Sequence, residues 1–212
     1  MMLHSIRLTG RHWTKFLPVT LMTVFAAGCA GVPSQSHVWH DPDRRGVRYD
    51  SVLVVALTQE GDKRKSFEDA LRARLQTPAT EVWSSSSQMG INVPVTTASI
   101  TPVLERTGAR ALIITRVKSI DVNPVQVDSY TDVVAKRRKG SVLTYDYVEK
   151  ELPAYIRNEF TTVLTTDVYD ASDSANIYTL VSSASGQESL SDVIEVLSRS
   201  IAKRLRSDGV VR

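Results

Sequence analysis

Cysteine is nearly absent: the 212-residue chain holds one, Cys29. A lone thiol excludes an internal disulfide, so any fold must be held by apolar packing. Long apolar runs are missing too. The best, Phe16 to Ala27, is broken by Pro18, Thr20 and Thr23, and a spanning helix needs roughly 20 apolar residues. Histidine is scarce, with His37 and His40 the only two beyond the first 28 residues. A serine nucleophile needs a base within hydrogen-bond reach. The serine run after Trp83, Ser84 to Ser87, has none nearby in the chain, and Gly-x-Ser-x-Gly does not occur. The segment from Gln59 to Lys65 lacks the glycine spacing of a phosphate loop. No cofactor motif is present, and nothing in the sequence points to an enzyme, which stays only as a remote alternative.

What is present begins with an address. Arg7, Arg11 and Lys15 precede the apolar segment, and small residues close it. These are the three parts of a secretory signal. The ending Ala26-Ala27-Gly28-Cys29 resembles the lipobox of bacterial lipoproteins. That resemblance implies a signal peptide over 1–28, a diacylglyceryl group on the Cys29 sulfur and cleavage just before it. Each acyl chain contributes about 0.8 kcal/mol per buried methylene, and two or more hold a protein stably on a membrane. Ala30 stands where an aspartate resembles an inner-membrane retention signal, so the expected site is the outer membrane, facing the periplasm.

Removing the leader changes the charge. The whole chain has 26 Lys+Arg against 23 Asp+Glu, and all three cations in excess lie before Cys29. The remaining 184 residues are balanced, which leaves no general basic field for nucleic acid.

Residues 29–48 read as the lipidated cysteine and a flexible tether, rich in Gly, Pro, Ser and charge. His37, His40, Asp41 and Asp43 are metal-ligand types, but a tether offers no fixed geometry, so no metal is expected. A single globular domain is expected over 49–212. The run from Ser51 to Leu57 has the continuous apolar pattern of a central strand. A polar loop follows, then a helix capped by Ser66, a strand at 79–86, a helix at 99–108 closed by Gly108, and a strand at 109–122. Leu190, Val193, Ile194, Leu197, Ile201 and Leu205 fall at helical spacing and mark a closing amphipathic helix. The fold class is therefore α/β: a mixed sheet with packed helices, in the order β-α-β-α-β, a β-rich hairpin region, two strands and a C-terminal helix.

The hairpin insertion is expected at about 123–158. Its basic tip, Lys136, Arg137, Arg138 and Lys139, reads either as a solvated loop end or as a contact for something anionic: headgroups, lipopolysaccharide or an acidic protein face.

The whole pattern, Trp39-His40-Asp41-Pro42 through "VLVVALT", "FEDALRARL", "GARALIITRV" and "TDVYDASDSANIYTLVSSAS", resembles uncharacterised bacterial envelope lipoproteins of the domain-of-unknown-function type. Its order is also similar to three periplasmic modules: the amino-terminal domain of TolB, the lipoprotein activators of penicillin-binding proteins, and the curli secretion lipoprotein. The resemblance implies a non-enzymatic binding or assembly module with an envelope protein partner. The alternative is a subunit of a homo-oligomeric envelope or secretion assembly.

Overall fold

Residues 33–137 and 145–212 are described by the computed structural model; for 35, 36, 134–137 and 145–148 only the backbone is described. The chain forms β1 (Ser34–His40), a 3-10 turn (Pro42–Arg44), β2 (Ser51–Leu57), α1 (Gly61–Leu75), β3 (Glu81–Ser84), α2 (Ser85–Met89), α3 (Thr97–Thr107) and β4 (Ala111–Val127). β5 (Tyr130–Arg137), β6 (Tyr145–Leu152), β7 (Tyr155–Asp170), β8 (Asn176–Gln187) and α4 (Leu190–Ser207) follow. The fold is the mixed α/β arrangement that the apolar patterning predicts.

Six strands form one sheet in the order β1-β8-β7-β4-β2-β3. β2 runs parallel to both β3 and β4, and the remaining neighbours are antiparallel. As an interior strand covered on both faces, β2 needs apolar side chains in both directions, which is why Val52 to Val55 are all fully buried. Val54 pairs with Ile113 of β4. Together with Leu71, Leu75, Leu197, Ile201 and Leu205 of α1 and α4 they make the larger core. The opposite side chains of β2, Leu53 and Val55, meet Ile100 and Val103 of α3 in a second, smaller core.

α3 starts at a reciprocal cap in which Thr96 and Ser99 each accept from the other's backbone N–H. It stops at Gly108, whose φ of 64° a side chain would strain.

Two expectations fail. The expected tether is not a tether between 34 and 40: that stretch is β1, added antiparallel to β8 at the sheet edge. Its composition is polar because an edge strand has a wet rim. The expected loop after β2 is the start of α1, which begins at Gly61 rather than Ser66. Gly61 is needed there because a Cβ would sit 2.6 Å from the Ile91 carbonyl oxygen. Arg64 in the first turns is almost fully buried and donates to the carbonyls of Gly90 and Val93.

Candidate functional site

β4 and β7 are much longer than their neighbours. A bulge separates Val117 from Ser119, and from Ser119 outward the pairing keeps one register through β5 and β6, ending at Arg137 opposite Tyr145. The ladder skips Asp128, Ser129, Pro153 and Ala154. Pro153 has no N–H to give. β8 last pairs at Gln187 with Phe160. Beyond that row only two strands continue among the described residues, 15 residues each, which is about 50 Å of ribbon at 3.3 Å per residue.

The two faces of the ribbon root differ. The bulge shifts the alternation so that Val117, Ile120, Val122 and Pro124 share the face of Leu164, Thr162, Phe160 and Asn158. This is the face on which α1 and α4 pack, but both helices start at its edge. Val117, Ile120 and Val122 are therefore 45%, 47% and 49% exposed, and Ile156 is 73% exposed. Where the strip meets the helices, a cavity of about 120 Å³ opens, walled by Leu57, Phe67, Val117, Ile120, Val193 and Ile194 among others. On the opposite face the alternate rows carry Arg116, Ser119, Asp121 and Asn123, with Val163 opposite Ser119, and further out come Val125, Val127 and Tyr155.

The other sequence candidates fall elsewhere. Cys29, Arg138 and Lys139 lie outside the described residues. Lys136 and Arg137 are the last two residues of β5, with Lys136 opposite Asp146 in the ladder. The hairpin expected in this region is thus present among the described residues. His37 and His40 are separated by strand alternation. His40 packs edge-on against the Tyr178 ring at 5.6 Å, and Trp39 between them is 41% exposed. Asp41 accepts from the Asp43 N–H. Among the described residues no three His, Cys, Asp or Glu side chains are grouped to hold a metal ion.

The serine run proves architectural. Ser84, Ser85 and Ser86 are buried; Ser84 donates to the Ser87 hydroxyl, while Ser85 and Ser86 surround the fully buried carboxyl of Glu68. That carboxyl accepts from the Ala56 N–H at 2.9 Å, the Ser85 hydroxyl at 2.6 Å and the Ser86 N–H at 2.7 Å. Sequence reasoning missed Glu68, because nothing in a helical "FEDALRARL" marks one carboxyl as internal. The loop that follows, with Gln59, Gly61, Arg64 and residues 91–95, borders a wide opening of about 590 Å³ at the carboxyl end of β2. It holds no constellation of acid, base and nucleophile.

Most of the perturbed titrating groups, Arg44, Tyr49, Asp170, Asp173, Tyr178 and Arg204, cluster at the end away from the ribbon. Burial, then the hydrogen bond to Asp170, pushes the Tyr49 phenol up to about 12. Burial and the bond to Asp208 raise Tyr178 as well. Burial opposes ionisation of Asp170, but donors from Ser172, the Tyr49 hydroxyl and Arg44 outweigh it and lower its pKa. A phenol held neutral to such alkaline pH is a poor acid or base at neutral pH. These groups clamp the chain segment before β2 and the end of α4 to the sheet.

No protein-family model matches the chain, and no curated protein matches it. Among solved structures it is similar to a single-substitution variant of the PelC dodecamer from Paraburkholderia phytofirmans, with 18% identity over 86% of this chain and 99% of that one, at a TM-score of 0.46. A second form of the PelC dodecamer from the same organism gives 15% identity, 85% and 100% coverage and a TM-score of 0.45. A PDZ domain protein from Parabacteroides distasonis gives 8% identity over 82% of this chain but 37% of its own length, at a TM-score of 0.35.

Proposed function

We propose that this protein is a lipid-anchored envelope module, held at the outer membrane through Cys29, that binds or assembles with another envelope component and performs no chemistry. The observation that carries the reading is the ribbon. A domain of this size gains little stability from a two-stranded extension of about 50 Å, so the extension fits contact better than packing. The leader ending at Cys29 supports the anchor, and the described helices include none long and apolar enough to cross a membrane.

The test has two parts. Intact mass of the membrane-extracted protein should show an acylated chain beginning at Cys29; a chain beginning elsewhere without acyl groups sinks the anchor. A photo-crosslinking residue at Val133, which is 57% exposed on β5, should give a discrete adduct in the intact envelope. The same probe at Arg45, exposed at the other end, should not. Equal, diffuse adducts from both positions would remove the ribbon as the contact.

A second reading, a subunit of a homo-oligomeric assembly, is favoured by the outer edge of β1, which has no neighbouring strand among the described residues and offers its backbone to another copy. The outer edge of β3 is closed instead, since the Val82 N–H donates to Gln76 Oε1 and the Val82 carbonyl accepts from Arg72 Nε. Mass measurement of the delipidated protein separates the two readings.

A further inference from the structure

Four features meet at one end of the domain: the start of β1, the N-termini of α1 and α4, and the root of the ribbon. Ser34 opens β1 and lies opposite Ser183 of β8, which lies opposite Val163 of β7, which lies opposite Ser119 of β4. This is one row across the sheet. With strands about 4.8 Å apart and the last three-stranded row three residues further along, Ser34 is about 15 to 20 Å from the place where the ribbon leaves the body. Cys29 is five residues before Ser34, a leash of at most about 18 Å.

The leash is therefore far shorter than the ribbon. Anchored through Cys29, the domain turns its ribbon end toward the bilayer. A ribbon pointed along the membrane normal would have to enter the hydrocarbon. Its outer half carries Asp132, Glu149, Lys150 and Glu151, which hydrocarbon does not accept on exposed strands. The ribbon must then lie along the surface. Of its two faces, the root supplies one that is mostly apolar, with Val117, Ile120, Val122, Phe160 and Ile156 outnumbering Thr162, Asn158 and Gln126, and one that is mostly polar, with Arg116, Ser119, Asp121, Asn123 and Glu159 around Val163.

We infer that the apolar strip from Val117 to Ile156 rests on the phospholipid bilayer that holds the acyl chains of Cys29, with the ribbon lying along that surface. The inference rests on the lipid-anchor reading above. It fixes which side of the domain is occupied by lipid. The opposite side of the sheet, with the exposed Trp39 and Arg116, is left facing away from the membrane for a partner.

The experiment uses the acylated protein in vesicles of phosphatidylethanolamine and phosphatidylglycerol. The Cys29 sulfur is consumed by the lipid, so an introduced cysteine is the only free thiol. Val122→Cys and Asn123→Cys place an environment-sensitive fluorophore on neighbouring residues of opposite faces. Spin-labelled phospholipid should quench the probe at 122 strongly and the probe at 123 weakly. Ile156→Cys and Arg157→Cys repeat the contrast on β7, should either β4 variant fold poorly. Equal quenching, or none at either position in protein that floats with the vesicles, overturns the strip and leaves the anchor standing. A blue-shifted but unquenched probe at 122 means that protein covers the strip, a second copy included, and also overturns it. Protein that does not float overturns the anchor and the strip together.

Discussion

The two ends of this domain are built by opposite means. At one end, two buried tyrosines each donate into a carboxylate that also meets an arginine: Tyr49 with Asp170 and Arg44, and Tyr178 with Asp208 and Arg204. Strand ends there are tied to one another, Ser51 to Arg110 and Arg110 to Ala171, and α4 returns its last residues to the start of β2 through Tyr49 and Val210. At the other end, β4 and β7 outrun their neighbours, the helices stop short and apolar side chains stay in the open. A domain closed this firmly at one end and left this unfinished at the other concentrates its stability in the body and leaves the ribbon open.

The largest effect should come from the closed body. Leu197→Asp would bury an unpaired charge where α4 packs on α1, β7 and β8, at a cost of several kcal/mol out of a total of about 5–15 kcal/mol. Loss of the cooperative melt is the expected result. A normal melt would mean that the closing helix does not seal the sheet.

Glu68→Ala comes next. It would leave the Ala56 and Ser86 N–H groups buried without partners, at about 1–3 kcal/mol for each unpaired donor. Chemical denaturation should show a lower midpoint with an unchanged slope. Stability equal to the parent would mean that water enters and replaces the carboxyl.

The tyrosine clamp gives a pH signature. The Tyr49 phenol is raised in the folded state, so the unfolded chain releases its proton first, near the ordinary value of about 10. Its contribution is complete below that pH and is lost as pH rises toward about 12. Tyr49→Phe should flatten the fall in melting temperature across that window. Asp170 acts in the reverse sense: its lowered pKa stabilises the fold above the ordinary carboxylate value of about 3.9, and that share fades as pH falls below it.

The smallest effect belongs to the ribbon. Val133→Ser changes a side chain that is 57% exposed, and the melt should move by no more than about 0.5 kcal/mol. A larger loss would show that the ribbon packs on something within the folded chain, and the contrast between the two ends would collapse.

Much of the body was legible in the chain itself. Four consecutive buried residues in β2 announce a strand covered on both faces, and the spacing from Leu190 to Leu205 announces a helix with one apolar side. Gly108 announced the end of α3 because a positive φ favours glycine. The strand at Ser34–His40 was not legible, since an edge strand half open to water carries no continuous apolar pattern. The first turns of α1 were hidden in the same way: "GDKRK" reads as a loop until the 91–93 segment closes over Arg64.

The site divides along the same line. The sequence by itself determined the α/β order and the existence of a hairpin between two strong strands, because each rests on local residue type or period. Only the tertiary structure decided which face of that hairpin is apolar, since a single extra residue at the Val117–Ser119 bulge reverses the alternation. It alone made Glu68 internal and turned the serine run into its cradle. It alone set the root of the ribbon beside the first residue of β1, because that proximity comes from strand order across a sheet, and strand order is a property of long-range pairing rather than of any local stretch.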